Sequence, residues 1–550
     1  MSPHQRTACL MHNLLEQFAS LFNPQRSFFQ PAEKPIIRRD SIVVAYHPQL
    51  RELGHAILDA DGNAFDAFVA VTAAQNVIAE GASSLAGPLG VLTYRAQDGK
   101  ISYLDADFND PLAPEGRWTA DDPQPGKAAL VPGAPAGLEA LAKEYGNLEF
   151  SKLLEPSIEL ARNGFPVTEI MATLIASQAE PLKATDYGLN TYFRDGEPLK
   201  AGDTLRLPEV ANFLTGLAQQ GSAYVYGGDW GTQFLEFVQS KGGLLSAEDL
   251  LSYQVKWYQP WTTAYRCHQL FSCSGRAYGG LWVLLALKTL EHAPPFQEAH
   301  YSADASVLEQ MVRTARQVWS ESWLLDYTAL DQPDLVYSRL TAEYTESIWR
   351  KVRDRAPAHP LQRNGVHSYQ IIVVDGAGNI ANGTTTIESA PWAEGYFVQG
   401  IPIPSSGRVP WNTAPGDRRL SPFSIHLVLK DGSPRFSVGA ISDSLVEAAF
   451  QLLVNLIDYH LPVQDAVSLP RFGTFPHRLG SVLKLDKNWL DPRVSKKSVQ
   501  ALKRHGIRFK QKGAIDTGLG AVISIDPDGL MHGTTVPLPY ISVPFSATRT

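Results

Sequence analysis

Residues 367–389, HSYQIIVVDGAGNIANGTTTIES, decide how the rest of the chain is read. Two runs rich in β-branched residues, YQIIVVD and IANGTTTIE, flank a Gly-containing turn, a pattern that predicts an antiparallel hairpin. A Ser opens the first run and three Thr close the second. A strand head fixes a hydroxyl rigidly, while the β-branched body behind it is suited to burial in a sheet.

The same rhythm recurs downstream. FSIHLVLK and RFSVGA flank Asp431-Gly432, and LGAVISIDPDGLMHGTTV turns about Pro527-Asp528-Gly529; both predict hairpins. Between them SDSLVEAAFQLLVNLIDYHL has helical spacing, with Ser444 and Glu447 placed as a capping box. Upstream, HPQLRELGHAILDADGNAFDAFVAVTAAQNVI predicts two helices broken at Asp61-Gly62, and GVLTYRAQDGKISYLDA predicts two strands about Asp98-Gly99. From about 133 to 350 most apolar runs are helical, with Gly146 and Gly164 as stops and DASVLEQMVRTARQVWSESWLLDY as one long helix. Helices thus dominate the first two-thirds and hairpins the last third. This predicts an α+β fold, a four-layer αββα sandwich of two stacked antiparallel sheets covered by helices. The pattern alone equally allows two separate domains.

Bulk properties narrow the function classes. The chain has 550 residues, enough for a sizeable core, with 44% hydrophobic and 19% charged residues. A net charge of −8 and the absence of a basic run argue against nucleic-acid binding. No window approaches 18 apolar residues, so no membrane span is expected. The opening MSPHQRTACLMHNLLEQFASLF is amphipathic and lacks the core and cleavage site of a secretory signal, so the expected location is cytoplasmic. Three Cys without a Cys-x-x-Cys pair, and no His-Glu-x-x-His, give no support to a metal site; no cofactor motif is present.

Five further motifs, GNAFDAFVA (62–70), PGAPAGLEAL (132–141), EPSIELARNGFPV (155–167), IDYHLPVQDAVSLPRFG (457–473) and IDPDGLMHG (525–533), occur in an order that resembles the gamma-glutamyltranspeptidases, members of the N-terminal-nucleophile (Ntn) hydrolases. The resemblance spans roughly residues 40 to 545. It implies the αββα sandwich and a precursor that cuts itself before a hydroxyl residue, which then heads a small subunit. It divides the chain into an extension and linker (1–40), a large-subunit-like region (41–367) and a small-subunit-like region (368–550) of one intertwined fold.

The family's nucleophile is a Thr at the head of a strand reading like T-T-H-Y-S-V-V-D. Counting back from Val373-Val374-Asp375 places that position at Ser368, which keeps a hydroxyl on Cβ. The freed α-amine would serve as general base, its ordinary pKa of about 7.7–8.0 suiting neutral pH. The Thr eighteen residues on, which the family uses to assist processing, is Thr386; two further, where the family has Asn, stands Glu388. The oxyanion pair, Gly-Gly in the family, falls on Ser442 and Asp443 of GAISDS, at the start of a helix where backbone N–H groups favour an anion.

Other positions depart from the pattern. The Arg that clamps the substrate carboxylate in the family's D-F-R-E motif is Asn109 in DFNDP, a neutral amide in place of a bidentate cation. The Asn-Asn-x-Met-Asp-Asp segment corresponds to IPIPSSGR (401–408), with no acidic pair. Of the family's Ser pair, Ser421 persists in RLSPFS and Pro422 replaces its neighbour. These changes all touch recognition of a γ-glutamyl head, so a different acyl group is expected. Two functions stay open. One is a divergent amidohydrolase or acyltransferase that self-processes before Ser368 and acts on a small-molecule amide or peptide, its large and small fragments forming a heterodimer. The other is an unprocessed, inactive homologue with a binding or regulatory role.

Overall fold

The computed structural model describes residues 36–535 except 117, 119–124, 295, 297–298, 359–367, 390, 393–394, 409–412, 475–477, 480–481, 484–487 and 512–516. Residues 1–35, and with them the amphipathic opening stretch, lie outside the described residues.

Thirteen strands build two main sheets. In chain order they are β1 (Ile36–Arg38), β2 (Ile42–Val44), β3 (Leu89–Arg95), β4 (Lys100–Ala106), β5 (Lys256–Tyr258), β6 (Trp261–Tyr265), β7 (His268–Ser272), β8 (Ser368–Val374), β9 (Ile380–Thr386), β10 (Ile425–Lys430), β11 (Ser433–Ile441), β12 (Leu519–Ile525) and β13 (Met531–Thr535). One sheet runs β2-β8-β9-β3-β4-β5 and the other β1-β13-β12-β11-β10-β7-β6. Neighbours within both sheets are antiparallel. Each sheet draws strands from before and after residue 368, so those two parts of the chain are interwoven. The four hairpins expected from the sequence, β3–β4, β8–β9, β10–β11 and β12–β13, are all present.

Alternation along the strands sets the layers, because successive side chains leave opposite faces. Ile372 and Val374 of β8 join Leu92, Ile101 and Tyr103 from the same sheet, and Ile425, Leu427, Ala521 and Ile523 from the other, in a core between the sheets. Ile371 and Val373, one residue out of phase, pack outward with Val91, Leu104 and Ala381 against helices α1 (Pro48–Asp59), α2 (Ala64–Ile78), α3 (Ala134–Tyr145) and α4 (Phe150–Asn163). The outer face of the second sheet, including Val428, Val438 and Val522, is covered by α5 (Tyr278–Leu290), α6 (Ala305–Trp319) and α7 (Leu445–Ile457). The result is helix, sheet, sheet, helix.

The local signals behave as expected at most helix ends. Asn63 caps α2 reciprocally with Asp66, and Gly146 and Gly164 close α3 and α4. Two expectations are corrected. The long helix after Asp304 ends at Trp319 and continues as a 3₁₀ turn (Ser322–Leu325) and a short helix (Tyr327–Leu330). Ser444 stands at the N-cap of α7 but its side chain makes no capping bond. Glu447 is drawn elsewhere: its carboxylate accepts from Trp319 Nε1 at 2.8 Å and from Thr474 Oγ1 at 2.5 Å. A buried indole N–H without a partner costs more than an unmade cap, so the tertiary bond wins.

Candidate active site

The site is assembled where β8 and β9 meet the end of β11. Ser368 is the first residue of β8 and lies directly opposite Thr386, the last of β9. Directly opposed antiparallel residues have Cα atoms about 4.5–5.5 Å apart, so the two hydroxyls are neighbours. Ser368 shares a strand face with Gln370 and Ile372, the face that looks at the second sheet. It is 7% exposed. His367, the residue before the proposed cleavage point, lies outside the described residues.

A polar lattice pins this end of the hairpin. Gln370 donates to Asn382 and accepts from Thr384 Oγ1 at 2.5 Å. Asn382 in turn donates across the sheets to Ser437 Oγ at 2.9 Å and to the carbonyls of His426 and Val438 at 3.2 Å. Gly439 on β11 lies flat under the Gln370 amide; a Cβ there would collide with it. The two sheets are thus registered to each other two residues from Ser368, and Tyr369 joins Ile441 and Leu519 in one apolar cluster. His426 is buried here, and burial pushes its imidazole down to about 3.

β11 ends at Ile441, and Ser442, Asp443 and Ser444 form the turn into α7. Ser442 has φ +84°, a conformation that favours Gly. The backbone therefore takes a glycine-type conformation although a side chain occupies the position. Ser442 and Asp443 lie just ahead of Ser444, the N-cap of a 13-residue helix.

The remaining predicted residues gather beyond Thr386. Thr386 Oγ1 accepts from Glu388 N at 3.0 Å, which holds Glu388 in a left-handed turn at φ +48°. Glu388 is buried, and burial, with Asp107 nearby, raises its carboxyl well above the usual range; Arg419 opposes this. Ser421 accepts from Phe423 N at 3.3 Å and its hydroxyl faces the Asp107 carboxyl. Asn109 bridges to Val131 and Arg418 through its backbone.

Sequence reading passed over Asp107, Arg418 and Arg419. Asp107 is 3% exposed, and burial beside Asp105 pushes its carboxyl up to about 7. Arg418 stacks over Tyr253, donates to Tyr253 Oη and the Gln254 carbonyl at 2.6 Å, and also donates to the Asp107 carbonyl. Arg419 pairs with Asp110 at 2.5 Å. Their only sequence signal is adjacency, since Asp107 precedes Asn109 by two, Arg419 opens RLSPFS and Arg418 stands just before it. An open cavity of about 550 Å³, lined by Asn63, Arg95, Tyr145 and Asp375, lies at the opposite end of β8. Among the described residues no group of His, Cys, Asp and Glu could hold a metal ion, and no helix is long and apolar enough to cross a membrane.

Comparison with known proteins bears on this arrangement. The glutathione hydrolase proenzyme of Escherichia coli is 26% identical over 92% of this chain and 91% of its own length. The acylase ACY 1 proenzyme of Pseudomonas sp. (strain SE83) is 27% identical over 93% of this chain and 94% of its own. The crystal structure of cephalosporin acylase from Bacillus halodurans superposes with a TM-score of 0.80 at 23% identity, over 94% of this chain and 97% of that one, and so shares the fold. The family model described as Gamma-glutamyltranspeptidase matches residues 51–537. With that match over most of its length and the two-sheet architecture just described, the chain belongs to the gamma-glutamyltranspeptidase family of Ntn hydrolases.

Proposed function

We propose that this protein is a self-processing amide hydrolase or acyltransferase with Ser368 as nucleophile. The observation that carries the reading is the seating of Ser368 at a strand head, opposite Thr386, with its neighbour Tyr369 packed on Ile441, the residue before the left-handed Ser442. In processing, Ser368 Oγ attacks the His367 carbonyl carbon, the C–N bond breaks, and the amine takes the proton, leaving an ester. Water hydrolyses the ester, which yields a His367 carboxylate and a free Ser368 with its α-amine. In turnover that amine takes the hydroxyl proton as Oγ attacks the substrate amide carbonyl. The N–H groups of Ser442 and Asp443 receive the developing oxyanion, and the amine returns the proton to the leaving nitrogen. Thr386 orients the nucleophile. Water, or an acceptor amine in acyl transfer, then releases the acyl group.

The relatives named above are proenzymes of a hydrolase and an acylase, which favours an active enzyme over an inactive homologue. The loss of an Arg at Asn109 favours an acyl group other than γ-glutamyl. The test is a denaturing gel with intact mass. Cleavage before Ser368 splits the 60.3-kDa chain of 550 residues into fragments of about 40 and about 20 kDa. Ser368→Ala is expected to leave a single band. Wild-type protein that stays whole once folded would overturn the proposal.

A further inference from the structure

The residues around Asp107 include buried acceptors without a close hydrogen-bond partner, although the Ser421 hydroxyl faces the Asp107 carboxyl. Asp107 Oδ1 accepts from Phe108 N at 2.7 Å, but the buried Oδ2 has no hydrogen-bond partner. Two residues on, the side-chain oxygen of Asn109 is likewise buried without a partner. A buried acceptor left unpaired is costly, and a protein retains two together where something else supplies the donors. Two cations stand nearby, each held mainly by other groups. Arg418 serves Asp105, Tyr253 and two carbonyls, and Arg419 serves Asp110.

Sheet register relates this cluster to Ser368. Thr385 is paired with Leu89 and Leu89 with Ala106, so Asp107 continues the row that holds Ser368 and Thr386. Ile101 and Tyr103 of β4 face the inter-sheet core while Leu104 and Ala106 face the helices, so the alternation carries Asp107 to the same side as Ser368. Three strand spacings of about 4.8 Å separate the two backbones by about 14 Å. The seat between them is Gly87-Pro88, where the Thr386 carbonyl comes so close that any Cβ on Gly87 would collide with it. An acyl chain of a few methylenes spans that floor.

We propose that the acyl pocket takes a head group rich in hydrogen-bond donors and positively charged, an ammonium or guanidinium on a short acyl chain, held by Asp107, Asn109 and Glu388. This rests on the reading of Ser368 as the nucleophile of an amide hydrolase. The electrostatics point the same way. Burial opposes ionisation of both Asp107 and Glu388, Asp105 adds to it at Asp107, and Arg418 and Arg419 only partly relieve it. A cationic head would relieve it further.

The test separates binding from turnover. Calorimetry on processed wild-type protein, in short titrations that precede turnover, would compare 5-aminopentanamide, pentanamide and the mono-amide of glutaric acid, three amides of matched length. The cationic amide is expected to bind about tenfold or more tightly than the other two, as for a charge-assisted hydrogen bond. Glu388→Gln should reduce that preference, and Asn109→Arg should reverse it in favour of the glutaric amide. Equal or tighter binding of the anionic amide by processed wild-type protein, or binding of none, overturns the proposal. Selective binding of the cationic amide with no turnover of its anilide by wild-type protein would instead sink the nucleophile assignment and leave the head-group assignment standing.

Discussion

Ser442 shows what one residue can retain when its type changes. Its φ of +84° costs a non-Gly residue of order 1–3 kcal/mol, held in place by β11 on one side and α7 on the other. The groups that would stabilise an oxyanion are backbone N–H donors, which do not depend on the side chain. Ser442→Gly is therefore expected to raise stability by about 1 kcal/mol with amide hydrolysis retained. Denaturant unfolding and a turnover assay on the same preparation check it. A loss of hydrolysis on gaining Gly would show that the Ser442 side chain takes part. Glu388, at φ +48° and held by Thr386 Oγ1, is the second strained residue at the site, and the two flank the hairpin end that carries Ser368.

At the scale of elements, the hairpin β8–β9 and the strand β11 behave as one unit because Gln370, Asn382 and Thr384 tie them together. Gly439 is where that tie is closest. A methyl there would push the Gln370 amide away from both its partners, and the amide is too enclosed to move freely. Gly439→Ala is expected to destabilise by about 1–3 kcal/mol, as overpacking does, and to slow self-processing by shifting the head of β8. Time courses of fragment formation, together with an unfolding midpoint, test both parts. Processing at the wild-type rate in a destabilised variant would show that the strand head is positioned independently of the lattice.

At the scale of the whole molecule, buried titratable groups set a pH window. His426 is held down at about 3, so as pH falls below its ordinary value of about 6.5 the unfolded chain binds a proton that the folded one does not. Stability is lost from there down toward pH 3. Glu80 runs the other way. Buried against Tyr192, its carboxyl is pushed up to about 8, so the folded chain binds the extra proton and stability falls as pH rises from about 4.5 to about 8. Greatest stability is thus expected on the mildly acidic side of neutrality. Glu80→Gln should flatten the alkaline limb and leave the acidic one unchanged. Denaturant midpoints measured from pH 4 to 9 give the answer, and an unaltered alkaline limb would show that other groups carry it.

The sequence by itself determined the hairpins, most helix ends and which strand residues share a face. Those depend on period, turn chemistry and caps, all local: the alternation in YQIIVVD places Ile372 inward and Ile371 outward whatever surrounds them. The resemblance singled out Ser368 and Thr386 by their spacing, and the structure set them opposite each other on one hairpin. Only the tertiary structure decided the rest. Glu447 left its expected cap for the Trp319 indole, and Asp107 and Arg419 came to face Glu388 across more than 280 and about 30 residues of chain. Such meetings follow from which sheet row and which layer a residue lands in, and no window of sequence contains both partners. Whether a carboxyl is ionised or an acceptor left unpaired is a property of that shared environment, so the chemistry of the acyl pocket could be read only after the two sheets were stacked.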